Sequence, residues 1–208
     1  QRLDLIRYNL ESLEDRYETF SETGVKNIGS YNEWIEKQKE KDPTFNQEKM
    51  YYLVVIIDEL ADLMLVASKE VEDSIMRITQ MARAAGIHII LATQRPSADV
   101  IKGAIKANIP TRLAFKVSSF ADSSVILGQS AAEKLEGKGD MILRYPGKGD
   151  IRLQGALVTN KEIKSVVEYL RDHYEVNYIV TLEELQQSSA SRGPGNGSGD
   201  PNLGRNDE

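Results

Sequence analysis

The chain has 208 residues, 40% hydrophobic and 28% charged, which suits a soluble globular protein with one ordinary core. It has no cysteine, which excludes disulfides and thiolate metal sites and is compatible with a reducing cytoplasm. The net charge of −6 argues against a simple nucleic-acid coat, yet Met81 to Arg152 carries eleven Lys/Arg against six Asp/Glu, leaving −11 for the remainder.

A basic centre in an acidic chain fits a polyanion-facing surface, and solvated faces equally. No run approaches the roughly 18 apolar residues of a membrane span. The opening "QRLDLIRYNL" lacks a signal peptide's apolar core and an initiator Met, so it reads as the middle of something longer.

Leu3, Ile6, Leu10, Leu13, Tyr17 and Phe20 step by three and four, which predicts a first helix with one buried stripe. Ser30 to Glu33, "SYNE", predicts a capping box opening a second helix with Trp34 and Ile35 on its face. Tyr51 to Ile57 is an apolar run too short for a buried helix, and predicts a central strand covered on both faces. Val71, Ile75, Ile78, Ala82 and Ala85 mark the next helix, closed by Gly86. Ile87 to Ala92 is a second buried strand. Pro96 and Ser97 open a helix to about Ala107, and Thr111 to Val117 alternates as a third strand. This order predicts a parallel sheet in an α/β domain.

"SAAE", Ser130 to Glu133, predicts another capped helix ending near Gly137. The repeated "GKGD", Gly137 to Asp140 and Gly147 to Asp150, predicts two turns around a short strand, with a partner at Ile151 to Val158. "TNKE", Thr159 to Glu162, caps a last helix with stripe Ile163, Val166, Val167 and Leu170. From Gln186 the chain is polar and glycine-rich, and disorder is expected. Three regions follow: a helical segment at 1–50, a core at 51–180 and a polar tail at 181–208.

Asp58 and Glu59 end the first strand, on the rim where doubly wound sheets bind ligands. One carboxylate there suits Mg²⁺, and its neighbour suits orienting or deprotonating a water. A buried strand ending in solvated acids has the same pattern. Thr93 and Gln94 end the second strand on the same rim, where Gln94 is placed to orient a water or to report a γ-phosphate. No Gly-x-x-x-x-Gly-Lys-Ser/Thr phosphate loop occurs in these residues, and the "GKGD" copies do not supply one. Such a chain is expected to bind ATP poorly by itself.

"VVIIDELADLM", "ARAAGIHIILATQRPSADVIKGAIKANIPTRLAFKVSS" and "AAEKLEGKGDM" closely resemble the motor of the FtsK/SpoIIIE family of DNA translocases, over roughly Leu3 to Leu170. The resemblance implies an α/β fold: part of a RecA-like P-loop NTPase core, mostly parallel sheet flanked by helices, with a C-terminal β-hairpin and helix. It implies a ring of six copies around double-stranded DNA, driven by ATP and Mg²⁺ in chromosome segregation at division or sporulation, or in DNA transfer. Asp58 and Glu59 then match the Walker B pair, Thr93 and Gln94 the sensor position, and Arg83 a residue reaching the neighbouring copy's nucleotide. A solvated helix-end Arg is the plain alternative for Arg83. The phosphate loop is expected upstream of Gln1, in another part of the same protein. Cytoplasmic work is implied, with inner-membrane anchoring left to regions outside this chain.

DNA contact is expected from Lys102 and Lys106, four apart on a short helix, and from Lys138 and Lys148 in the glycine turns. Solvated lysines fit as well. Phe120 and Ser124 stand where the family usually has basic residues, and no winged-helix module is expected. Three readings compete: part of a DNA translocase motor, a remnant that binds DNA or motor partners without hydrolysis, and a subunit of a related conjugation or secretion ring ATPase.

Overall fold

The computed structural model describes residues 2–175 together with Tyr178 and Thr181. The tail expected beyond Gln186 lies outside the described residues.

Two helices lead in. α1 (Arg2–Thr23) buries Ile6, Leu13 and Phe20, the positions its period predicts. The N-cap of α2 (Ile28–Lys41) is Asn27, three residues before the expected Ser30, because its side chain accepts the Ser30 N–H at 2.9 Å. Tyr17, Phe20, Tyr31, Trp34 and Phe45 form a run of edge and stacked ring contacts joining the two helices to the following loop.

β1 (Leu53–Ile57) and β2 (Ile87–Leu91) pair in parallel, Leu53 opposite Ile87 and Ile57 opposite Leu91. Between them runs α3 (Leu60–Ala85), kinked at Ala67. Val71, Ile75, Ile78, Ala82 and Ala85 are buried, as their spacing predicts. Gly86 ends the helix at φ 73°, where a Cβ would stand 2.6 Å from Ile28. Arg16 ties the layers together: its guanidinium donates to the carbonyls of Ala85 at 2.7 Å and Tyr51 at 3.0 Å.

The expectation of a first strand covered on both faces is corrected. Val55 is buried against the helices, while Val54 and Ile56 on the opposite face are 54% and 64% exposed, alongside exposed Ile90 of β2. Alternation puts these three side chains on one side of the pair, and no layer covers that side among the described residues.

α4 is shorter than expected. A turn closed by Val100 and Ile101 N–H groups on the Ser97 carbonyl precedes it, so the helix spans only Gly103–Asn108. β3 (Arg112–Phe115) does not extend the parallel sheet. It pairs antiparallel with β4 (Asp140–Tyr145), which pairs antiparallel with β5 (Gly149–Gln154). α5 (Phe120–Leu127) packs on one face of this sheet, burying Leu127 with Ala114 and Ile142. The helix expected at "SAAE" is a single 3-10 turn, Ala132–Lys134, because the Glu133 carboxylate reaches back to Ser130 and Ala131 instead of capping a longer helix.

The expected hairpin forms, but its second strand runs Gly149–Gln154, starting within the second glycine turn and stopping short of the expected Val158. At Gly139, φ 93°, a Cβ would meet the Gly155 carbonyl oxygen at 2.7 Å. Thr159 and Glu162 form the expected reciprocal cap of α6 (Asn160–His173). No residue of α6 is buried, so its apolar stripe packs on nothing among the described residues. The described residues are thus α/β, with one parallel pair and one antiparallel three-stranded sheet, flanked by helices.

Candidate functional site

The site grows from the carboxyl ends of β1 and β2, which are laced by backbone bonds. The Ala92 N–H donates to the Ile57 carbonyl, and the Leu60 N–H to the Ala92 carbonyl, each at 2.8 Å. Between these bonds sit Asp58 and Glu59. An extended residue followed at once by a helix makes Glu59 the N-cap of α3, and its Oε1 accepts the Ala61 N–H at 3.0 Å.

The same carboxylate also bridges to the neighbouring strand. Oε1 accepts the Thr93 hydroxyl at 2.5 Å and Oε2 accepts the Gln94 N–H at 2.9 Å. The Thr93 oxygen in turn accepts the Arg95 N–H at 3.0 Å. The Thr93 hydroxyl foremost, then the Gln94 and Ala61 amides and the Arg95 charge, hold the Glu59 carboxyl below its ordinary range, against the opposing effect of partial burial. Glu59, Thr93 and Gln94 therefore meet at one point on the rim.

Asp58 stands beside them, exposed, with no hydrogen bond or ion pair to its carboxylate among the described residues. No group of three or more His, Asp or Glu that could enclose an ion exists among the described residues. A lone free carboxylate on a rim fits Mg²⁺, which keeps most of its waters and takes one or two carboxylates plus phosphate oxygens.

The other candidates are spread out. Arg83 is exposed in the last turn of α3, at the end opposite Glu59. Over the α3 rise, about 1.5 Å per residue, that is more than 30 Å along the helix. Lys102 precedes α4 rather than lying on it, and its ammonium pairs with Glu72 at 2.7 Å. The Lys106 ammonium donates to the Val125 carbonyl at 3.2 Å. Both are engaged within the chain.

Lys138, in a left-handed turn at φ 54°, and Lys148, over the Tyr145 ring at 5.9 Å, are exposed at opposite ends of β4. The strand rise separates them by about 20 Å. Phe120 is exposed at the start of α5, with Ser124 one turn on. Sequence reading missed Ala61 and Arg95. Their contributions come from backbone N–H groups and a nearby charge, which no side-chain pattern signals.

The family model for FtsK/SpoIIIE matches residues 4–98. The DNA translocase FtsK of Lactococcus lactis subsp. lactis (strain IL1403) is 51% identical over 199 residues, covering 92% of this chain and 26% of that protein. The DNA translocase FtsK of Staphylococcus aureus (strain Mu50 / ATCC 700699) is 53% identical over 174 residues, covering 82% and 22%. The chain thus spans about a quarter of the length of these relatives.

Among solved structures, the pCW3 conjugation coupling protein TcpA, in its monomer form with ATPgS, superposes with a TM-score of 0.66 at 28% identity. It covers 81% of this chain and 48% of that one. The cytoplasmic domain of the Thermomonospora curvata Type VII secretion ATPase EccC gives 0.69 at 20% identity, over 86% and 21%, a likeness of fold.

Proposed function

This chain belongs to the FtsK/SpoIIIE family, and from that premise we propose that it is the part of an ATP-driven double-stranded DNA translocase motor that carries the metal-holding and water-activating acids. The observation that carries this reading is the Glu59 carboxylate spanning from the end of β1 to Thr93 and Gln94 at the end of β2. Two strand ends joined through a carboxylate, beside a free Asp58, form a rim with an acceptor for water and a ligand for a cation.

In this reading Asp58 and Glu59 are the Walker B pair. Mg²⁺, when bound at Asp58, neutralises charge on the phosphates. Glu59 accepts a hydrogen bond from the attacking water and aligns it, and the exposed Gln94 side chain faces the terminal phosphate. The phosphates themselves are held by a Walker A loop from an upstream part of the same protein. The open edge of β2 and the bare Val54, Ile56 and Ile90 face support a docking place for that part.

Arg83 lies far along α3 from Glu59, which suits a contact with another copy's nucleotide in a ring of six. Lys102, Lys106, Lys138 and Lys148 supply sequence-independent phosphate contacts to DNA. The motor works in the cytoplasm on chromosome partition at division or sporulation. Among the described residues no helix is long and apolar enough to cross a membrane.

Joined to the upstream phosphate-loop segment, the motor is expected to hydrolyse ATP faster with duplex DNA present. Glu59→Gln should cut turnover by roughly 10²- to 10⁴-fold. Wild-type turnover in Glu59→Gln removes the role given to Glu59. A conjugation or secretion ring ATPase is the second reading, favoured by the likeness to TcpA and EccC. For a protein-secreting member, turnover indifferent to duplex DNA decides for it. A non-hydrolysing remnant is excluded once this 208-residue chain alone turns over ATP.

A further inference from the structure

We infer that Thr93 is a positioning residue that selects which oxygen of Glu59 meets the attacking water, leaving Oε2 as the working atom. This rests on the reading of Glu59 as the water-aligning acid. A carboxylate oxygen accepts about two hydrogen bonds. Oε1 already has two, from the Ala61 N–H at 3.0 Å and the Thr93 hydroxyl at 2.5 Å. Oε2 has one, from the Gln94 N–H at 2.9 Å. One lone-pair direction therefore stays open, and it belongs to Oε2, on the side of exposed Gln94.

The two backbone donors are fixed by the fold: Ala61 opens α3, and Gln94 follows β2. Thr93 is the one side-chain donor of the three. Its oxygen accepts the Arg95 N–H at 3.0 Å, and its proton has two acceptors in reach, Glu59 Oε1 at 2.5 Å and the Arg95 carbonyl at 3.4 Å, of which Glu59 is much the shorter. Without that hydroxyl, Oε1 keeps an empty acceptor site. The carboxylate then presents two competing sites to water, and the alignment of the reacting water is lost. A misplacement on that scale costs up to about a hundredfold in rate while leaving substrate binding intact.

The test uses three variants of the motor completed by its phosphate-loop segment: Thr93→Val, Thr93→Ser and Glu59→Gln, with ATP, Mg²⁺ and duplex DNA. Thr93→Val should lower kcat roughly ten- to a hundredfold with KM for ATP unchanged. Thr93→Ser, which keeps the hydroxyl, should stay within about threefold of wild type. Wild-type kcat in Thr93→Val overturns the inference, as does an equal loss in both Thr93 variants or a rise in KM alone. If Glu59→Gln retains turnover, the role of Glu59 fails, and that arm separates this failure from one confined to Thr93.

A second measurement needs no turnover. In amide spectra of the 208-residue chain, Thr93→Val should move the Ala61 and Gln94 resonances, the partners of Glu59, while Thr93→Ser leaves them near their wild-type positions. Unmoved Ala61 and Gln94 amides in Thr93→Val overturn it.

Discussion

The chain divides into two regions of unequal finish. The first, α1 to α4 with β1 and β2, shares one continuous core of buried residues from Ile6 to Ile105. The second, β3 to β5 with α5, has a smaller apolar cluster of Ala114, Leu127, Ala132, Leu135 and Ile142. The second sheet is in fact inverted relative to ordinary expectation. By register, Leu113, Leu143 and Ile151 form one row, and Phe115, Met141 and Leu153 the next, all on the face away from α5. That face is apolar and open, while the Arg144–Asp150 and Arg152–Asp140 pairs occupy the α5 side. The first region thus completes the contacts among Glu59, Thr93 and Gln94 within a large core. Each region keeps one apolar sheet face uncovered among the described residues: Val54, Ile56 and Ile90 in the first, the Leu113 and Phe115 rows in the second.

The largest effect should separate the core of the first region from α6, which buries no residue. Ile75→Ala, at a fully buried position of α3, should destabilise by about 2–5 kcal/mol in urea unfolding. Leu170→Ala, half-exposed on α6, should stay within about 0.5 kcal/mol. A comparable loss at both sites erases the distinction.

Next comes the polar hub of the second region. The buried Ser123 hydroxyl donates to the Gln129 carbonyl at 2.7 Å and accepts the Ala131 and Ala132 N–H groups at 3.1 and 3.0 Å. Ser123→Ala takes this partner from the Gln129 carbonyl and the Ala132 N–H, while the Ala131 N–H keeps the Glu133 carboxylate, at a cost of about 1–3 kcal/mol. Hydrogen exchange should rise in β3 to β5 while the β1–β2 amides keep their protection.

Acid should act on the same region. The Arg152 guanidinium and the Glu136 N–H pull the Asp140 pKa down to about 2. A carboxyl depressed on folding stabilises above its unfolded pKa, near 3.9, and that contribution fades as pH falls toward 2. Over that window the unfolding midpoint should drop, and Asp140→Asn should flatten its part of the drop.

The smallest effect is expected at α6. Thr159→Ala breaks its capping box and should lower helicity, by circular dichroism, without moving the midpoint of the first region.

Much of this was legible in the residues. The α3 stripe, the hairpin between the "GKGD" turns and the α6 cap all rest on short-range rules, and each is in place. So does the rim: Glu59, Thr93 and Gln94 follow from two strands ending in polar residues. What misled was cover. An unbroken apolar run such as Tyr51 to Ile57 says that both faces want burial, but not that the burying layer is at hand, and Val54 and Ile56 are bare. Likewise β3 alternates as any strand does, and alternation does not tell parallel pairing from antiparallel. The short α4 follows from a backbone turn closed on the Ser97 carbonyl and the 3-10 turn at Ala132 from the Glu133 side chain folding back on the backbone, competitions that spacing does not rank.

One measurement bears most directly on the central claim that the β1–β2 rim is assembled in advance for a triphosphate held by another part of the protein. It is a structure of the motor completed by its phosphate-loop segment, bound to Mg²⁺ and a slowly hydrolysed ATP analogue. The expected result keeps Glu59 on Thr93 and Gln94, with Oε2 on a water facing the terminal phosphate and Asp58 beside the metal. A triphosphate seated away from this rim, or Glu59 turned into the core, contradicts the account.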